Sequence, residues 1–136
     1  MSAEKRYEDV EFGEDLPEFT PDISMPTVRR FTDATHMSWG RFNDHEEARK
    51  SGLPGAIVPG IMSQGILAAM INKWAPRCRI LKVDTIFRAA LVVDTKPVCR
   101  AVVTDMDDEA RTVEIDLTIS NEAGETRVLG TATVAL

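Results

Sequence analysis

The chain has 136 residues, 43% of them hydrophobic and 28% charged, the balance of one globular domain with room for a single core. A net charge of −6 with no Lys/Arg cluster excludes nucleic acid as a natural partner, since phosphate binding needs a basic face. Two cysteines, Cys78 and Cys99, and two histidines fall short of a Cys/His zinc site, so no metal is expected, and the cysteines read as reduced core thiols.

The segment up to Pro26 carries Pro17, Pro21 and Pro26 and little periodicity, which predicts an extended lead-in with one short strand around 18–23. Its first residues are charged and polar where a secretory leader would be apolar, so a cytoplasmic location is expected. A short helix follows, with Pro26 in its first turn and Val28, Phe31 and Ala34 at helical spacing. The stretch 36–43 breaks this pattern, with a turn at Gly40. Asp44 is placed to cap a second short helix, with Glu46 and Glu47 at its positive end and Gly52 and Pro54 at its close.

The main helix runs from Gly60 to Trp74 and stops before Pro76. Ile61, Met62, Ile66, Leu67, Met70, Ile71 and Trp74 cover more than one face, and small residues lie between them, so this helix is expected to be wrapped closely by other structure. Pro59, Ser63, Gln64, Asn72 and Lys73 make the surrounding apolar stretch too polar to span a bilayer. Beyond Pro76 the period becomes two. Leu81, Val83, Thr85 and Phe87 alternate with polar and other residues, Val98 to Met106 forms a second strand, Val113, Ile115, Leu117 and Ile119 a third, and Val128, Ala132 and Val134 a fourth with Gly130 inside it. Links at 107–110 and 121–125 read as hairpin turns, so the four strands are expected in hairpin succession. The whole is an α+β arrangement, an antiparallel sheet around one long helix. One helix covers little of such a sheet, so a second subunit is expected.

Several residues invite a chemical reading. Asp33 and His36 lie three apart at a helix end, where they would share a face as an acid/base pair. The alternative is a solvated aspartate and a histidine at the negative end of a helix. His45 reads as an exposed first-turn residue with no role. Met37, Trp39 and Phe42 are bulky and apolar in a loop-like stretch, which suggests a filled pocket, an interface or an acyl contact. The stripe Val113 to Ile119 reads as core, or as the lining of an acyl tunnel.

The lead-in YEDVEFGEDLPEF, the central run NDHEEARKSGLPGAIVPGIMSQGIL and the four-strand tail together resemble the MaoC-like hydratase family, across nearly the whole chain. The resemblance implies a single hotdog domain over 1–136, an acyl-CoA or acyl-carrier thioester as ligand, no further cofactor, and a homodimer or a heterodimer with a MaoC-like relative, with higher oligomers open. In that family a D-x-N-P-x-H pattern precedes the central run, and its aspartate and histidine hydrate an enoyl thioester. Counted back from Asp44, the histidine position falls on Phe42, the asparagine on Trp39, the proline on Gly40 and the aspartate on Met37. Neither Met37 nor Phe42 titrates. The family's His-Gly before the long helix, whose glycine N–H holds the thioester carbonyl, corresponds here to Pro59-Gly60. Gly60 keeps its N–H at a helix N-terminus. The resemblance thus implies a binding or partner subunit. The alternatives are an active (R)-specific hydratase or dehydratase using Asp33 and His36, and a hotdog thioesterase using Asp33 or Asp44.

Overall fold

The computed structural model describes residues 4–136, so the first three positions of the expected 1–136 domain lie outside the described residues. A single 3-10 turn, Tyr7–Asp9, precedes helices α1 (Met25–Ala34), α2 (Gly40–Asn43), α3 (His45–Lys50) and α4 (Gly60–Trp74). Strands β1 (Arg79–Phe87), β2 (Val98–Asp107), β3 (Thr112–Ser120) and β4 (Thr126–Ala135) follow. They form one antiparallel sheet in the order β1-β4-β3-β2.

The helices form where local chemistry favours them. Ser24 is extended ahead of α1, and Pro26 sits in the first turn, where its missing N–H costs nothing. The expected turn at Gly40 is a single turn of helix, closed by Phe42 and Asn43 N–H groups on the Trp39 carbonyl. Asp44 then caps α3, its Oδ1 accepting from the Glu47 N–H at 3.1 Å.

The long helix α4 lays Met62, Leu67, Met70, Ile71 and Trp74 into a core shared with Val113, Ile115, Leu117 and Ile119 of β3, all fully buried. Each such side chain contributes about 1.5–3 kcal/mol by leaving water. The β3 stripe is therefore core and lines no tunnel. The close wrapping expected around α4 leaves one side of the helix open. Gly65 and Ala69 are exposed, and Ile61 is 58% exposed. The lead-in reaches the helix's far end instead, where Glu14 Oε2 accepts from Trp74 Nε1 at 3.0 Å and from Lys5 Nζ at 2.7 Å.

Hairpin succession holds for β2–β3–β4 and fails for β1. Residues 88–97 are too long for a hairpin and carry buried Leu91 and Val93. That link is tied to the loop before α4 through Val58 N–H to Leu91 O and Val93 N–H to Ala56 O, both 2.8 Å. It carries the chain to the opposite edge of the sheet, and β1 pairs with β4. Within this pair Gly130 is required, because a Cβ there would stand 2.4 Å from the Asp84 carbonyl oxygen.

The two sheet edges differ. The lead-in covers β2, through isolated bridges Asp15–Val102 and Phe19–Cys99, in place of the expected strand at 18–23. Pro17 and Pro21 lack the N–H that a continuous ladder needs. Beyond β1 no strand pairs among the described residues. A bulge between Ile80 and Lys82 also changes which of its side chains face inward. Ile80 and Val83 pack on the core, while Leu81 and Phe87, half of the expected apolar face, are half-exposed.

Cys78 and Cys99 are both free thiols, and burial pushes the Cys99 thiol up to about 12. Among the described residues no helix is long and apolar enough to cross a membrane, and no group of three or more His, Cys, Asp or Glu is placed to hold a metal ion.

Candidate functional site

The first turn of α4 leaves donors without acceptors. The Pro59 carbonyl accepts the N–H groups of Met62 (3.0 Å) and Ser63 (3.2 Å). The Gly60 and Ile61 N–H groups have no intrahelical partner, as helix geometry requires. Gly60 lines a cleft of about 270 Å³. Phe42 of α2 forms one wall, Ile57 and Val58 a second, and Phe87 with Ala89, Ala90 and Leu91 a third, with Val128 of β4 and Ser63 of α4 completing the lining.

The backbone fixes these walls to one another. The Ile57 N–H donates to the Arg41 carbonyl at 2.8 Å, which sets α2 against the loop before α4. Arg88 and Ala89 N–H groups both donate to the Arg127 carbonyl, which holds the end of β1 beside β4. The Phe87 ring lies directly over Gly60. A Cβ on Gly60 would stand 3.2 Å from Phe87 Cζ, so the glycine permits this close approach.

Of the residues singled out in the sequence, Phe42 and Gly60 meet in this cleft. Phe42, which the sequence resemblance set opposite that family's histidine, is 7% exposed. Pro59 is buried behind the cleft as the residue before α4, and its carbonyl closes the first turn. Trp39 is 53% exposed, 5.8 Å from the Phe42 ring, and the Arg41 guanidinium lies 4.9 Å from Phe42 and 5.5 Å from Trp39. Met37 is half-buried and belongs to the end of α1, its N–H donating to Thr32 O at 2.7 Å.

Asp33 and His36 are exposed and lie outside the cleft lining. His36 adopts a left-handed conformation, φ 58°, and its N–H turns back to the Asp33 carbonyl. With Met37 this makes the paired closure that ends many helices. The Asp33 carboxylate accepts the Ser38 hydroxyl at 2.7 Å. Asp44 serves as the α3 cap described above.

His45 departs from the expectation of a residue with no role. Its Nδ1 accepts the Ala56 N–H at 3.0 Å, which leaves the proton on Nε2, and Nε2 donates to Asp94 Oδ2 at 2.8 Å. Asp94 Oδ1 accepts the Met25 N–H at the start of α1, 2.8 Å away. His45 and the Met25 N–H hold the Asp94 carboxyl below its ordinary value. One histidine and one aspartate thus join α1, α3, the loop before α4 and the link before β2. This is a structural pin, placed outside the cleft lining.

Sequence reasoning missed Ser63 and Phe87. The signal for Ser63 was available, since a residue three positions after Gly60 shares its helix face. That for Phe87 was not, because the bulge in β1 decides where its ring goes. Chemically, the cleft offers hydrogen-bond donors at a helix N-terminus and apolar walls. No lining side chain carries an ionisable acid or base.

No protein-family model matches the chain, and no curated protein matches it in sequence. Solved structures do match it in fold. An (R)-hydratase from A. caviae involved in PHA biosynthesis superposes with a TM-score of 0.88 at 16% identity, over 93% of this chain and 97% of that one. A MaoC-like dehydratase gives 0.88 at 20% identity, over 96% of this chain and 42% of the longer one. The ChsH1-ChsH2 complex from Mycobacterium tuberculosis gives 0.84 at 16% identity, over 93% and 98%. Likeness at this identity establishes the fold. It is the hotdog, α+β, shared with MaoC-like dehydratases and (R)-hydratases as the sequence resemblance implied.

Proposed function

We propose that this chain is a MaoC-like, acyl-thioester-binding subunit that lacks its own proton-transfer pair and acts in the cytoplasm beside a second copy or a relative of the same fold. The observation that carries this reading is the content of the cleft. Donors for a carbonyl oxygen sit at the start of α4, and the adjoining wall is Phe42, a ring that cannot take or give a proton. Hydration of an enoyl thioester needs a general acid and base within hydrogen-bond reach of one substrate. A volume of about 270 Å³ suits a short acyl group, since sites for drug-sized ligands run from about 300 to 1,000 Å³. The open β1 edge supports a partner, and one structure sharing this fold is a complex of two different subunits, ChsH1 and ChsH2.

The test is a hydration assay of the purified chain with short-chain enoyl-CoA, beside a calorimetric titration with the saturated acyl-CoA. The expected result is binding without hydration above background. Turnover in the ordinary enzyme range of ~1–10³ s⁻¹ would overturn it. Loss of that turnover in both Asp33→Asn and His36→Ala would then assign the chemistry to the pair at the end of α1.

A further inference from the structure

Ser63 is the only hydroxyl-bearing residue among those lining the cleft, and it is 2% exposed. A serine inside a helix ordinarily returns its hydroxyl to the carbonyl four residues back. Here that carbonyl belongs to Pro59, and it already accepts two N–H groups, from Met62 and from Ser63 itself. A carbonyl oxygen has two lone pairs, so Pro59 has none left for the hydroxyl. Among the described residues the Ser63 Oγ takes part in no hydrogen bond. Its neighbours across the cleft are apolar, Phe42, Leu91 and Val128 among them. The hydroxyl is thus left to meet whatever enters the cleft.

We infer that Ser63 Oγ–H is a second donor to the acyl carbonyl oxygen and, with the free N–H group of Gly60, forms a two-donor cradle that selects a neutral acyl carbonyl. Ser63 lies three residues after Gly60, so its hydroxyl and the free Gly60 N–H address one side of the first turn. The helix N-terminus favours the partial negative charge of a carbonyl oxygen. The lining has no Lys, Arg or His to neutralise a free carboxylate, which favours the thioester over the free acid. Ser63 is a specificity-determining residue here, and the inference rests on the acyl-thioester reading above.

The experiment titrates butyryl-CoA and its thioether counterpart S-butyl-CoA, which lacks the carbonyl oxygen, into the unaltered chain, Ser63→Ala and Ser63→Cys. The unaltered chain should prefer the thioester. Both variants should lose about fivefold of that preference, the worth of one ordinary hydrogen bond, with affinity for the thioether unchanged. Cysteine fills the space of the hydroxyl but donates only weakly, so a loss in that variant reports the donor and not a cavity. If both variants keep the full preference, the Ser63 inference is wrong and the binding reading stands. Equal loss of both compounds would make Ser63 a packing residue and overturn the inference. Binding of neither compound by the unaltered chain would overturn the thioester reading and this inference together.

Discussion

At the scale of single residues, the cleft depends on how closely Phe87 approaches Gly60. In Gly60→Ala the new methyl would meet the ring at 3.2 Å, and the ring would have to shift by a few tenths of an ångström. Phe87 is half-exposed and free to move, so the fold should lose less than about 1 kcal/mol. The displaced ring narrows the mouth of the cleft, and overpacking of this kind is expressed in the ligand. Affinity for a short acyl-CoA should fall roughly tenfold while the melting temperature stays near that of the unaltered chain. Titration beside a thermal melt separates the two effects. The site was half legible at this scale. Phe42 and Gly60 were identified because each stands at a position with a chemical expectation attached. Ser63 looked like a small residue in a crowded helix, since its missing partner is visible only once the bonds to Pro59 are known. Asp33 and His36 were singled out on spacing alone, and spacing does not reveal that His36 turns into the left-handed region.

At the scale of elements, α1 begins on two borrowed carboxylates. The Ser24 side chain first, then the Ser24 N–H at 2.9 Å and the Thr27 hydroxyl at 2.7 Å, pull the Asp22 carboxyl from 3.8 to about 2. Asp94 caps the Met25 N–H from across the fold and is likewise lowered, by His45 first and that N–H second. A carboxyl whose value is lower in the folded chain than in the unfolded one contributes stability above its unfolded value and loses it as pH falls through the folded value. For Asp22 that window runs from 3.8 down to about 2. The melting temperature of the unaltered chain should fall between about pH 4 and pH 2, and the double variant Asp22→Asn/Asp94→Asn should start lower at neutral pH and fall less across the window. Parallel slopes in the two proteins would remove these carboxylates from the account. Element types and boundaries were largely readable: α4 and the last three strands lie where periodicity and proline put them. The place of β1 was not, because strand order depends on where a ten-residue link packs, which pattern along the chain does not encode.

At the scale of the whole molecule, the two sheet edges receive different treatment. The lead-in closes β2, while β1 presents an unpaired edge beside exposed Ile86 (62%), Leu81 and Phe87, with Ile61 close in the fold at the start of α4. An unprotected apolar edge invites another strand, and proteins that keep one either charge it or use it. If this edge meets the second subunit, Ile86→Lys should weaken assembly at least tenfold, read as a fall in mass by sedimentation at micromolar concentration, with the circular dichroism of the chain unchanged. An unaltered mass would place the interface elsewhere.

The strand order has a further consequence, for the order in which the chain acquires its shape. β1 ends at Phe87, and β4, its neighbour within the chain, does not begin until Thr126, 39 positions later. At synthesis rates of ~5–20 residues per second, both edges of β1 stand open for roughly 2–8 s in the nascent chain. The β2–β3 hairpin can close in that interval, since it is local, whereas β1 has only the long helix just before it for shelter. The last strand is thus the bolt of the sheet. Until it slides between β1 and β3, the molecule is a hairpin and a loose ribbon, and the ribbon's most apolar stretch is the one most exposed to other copies.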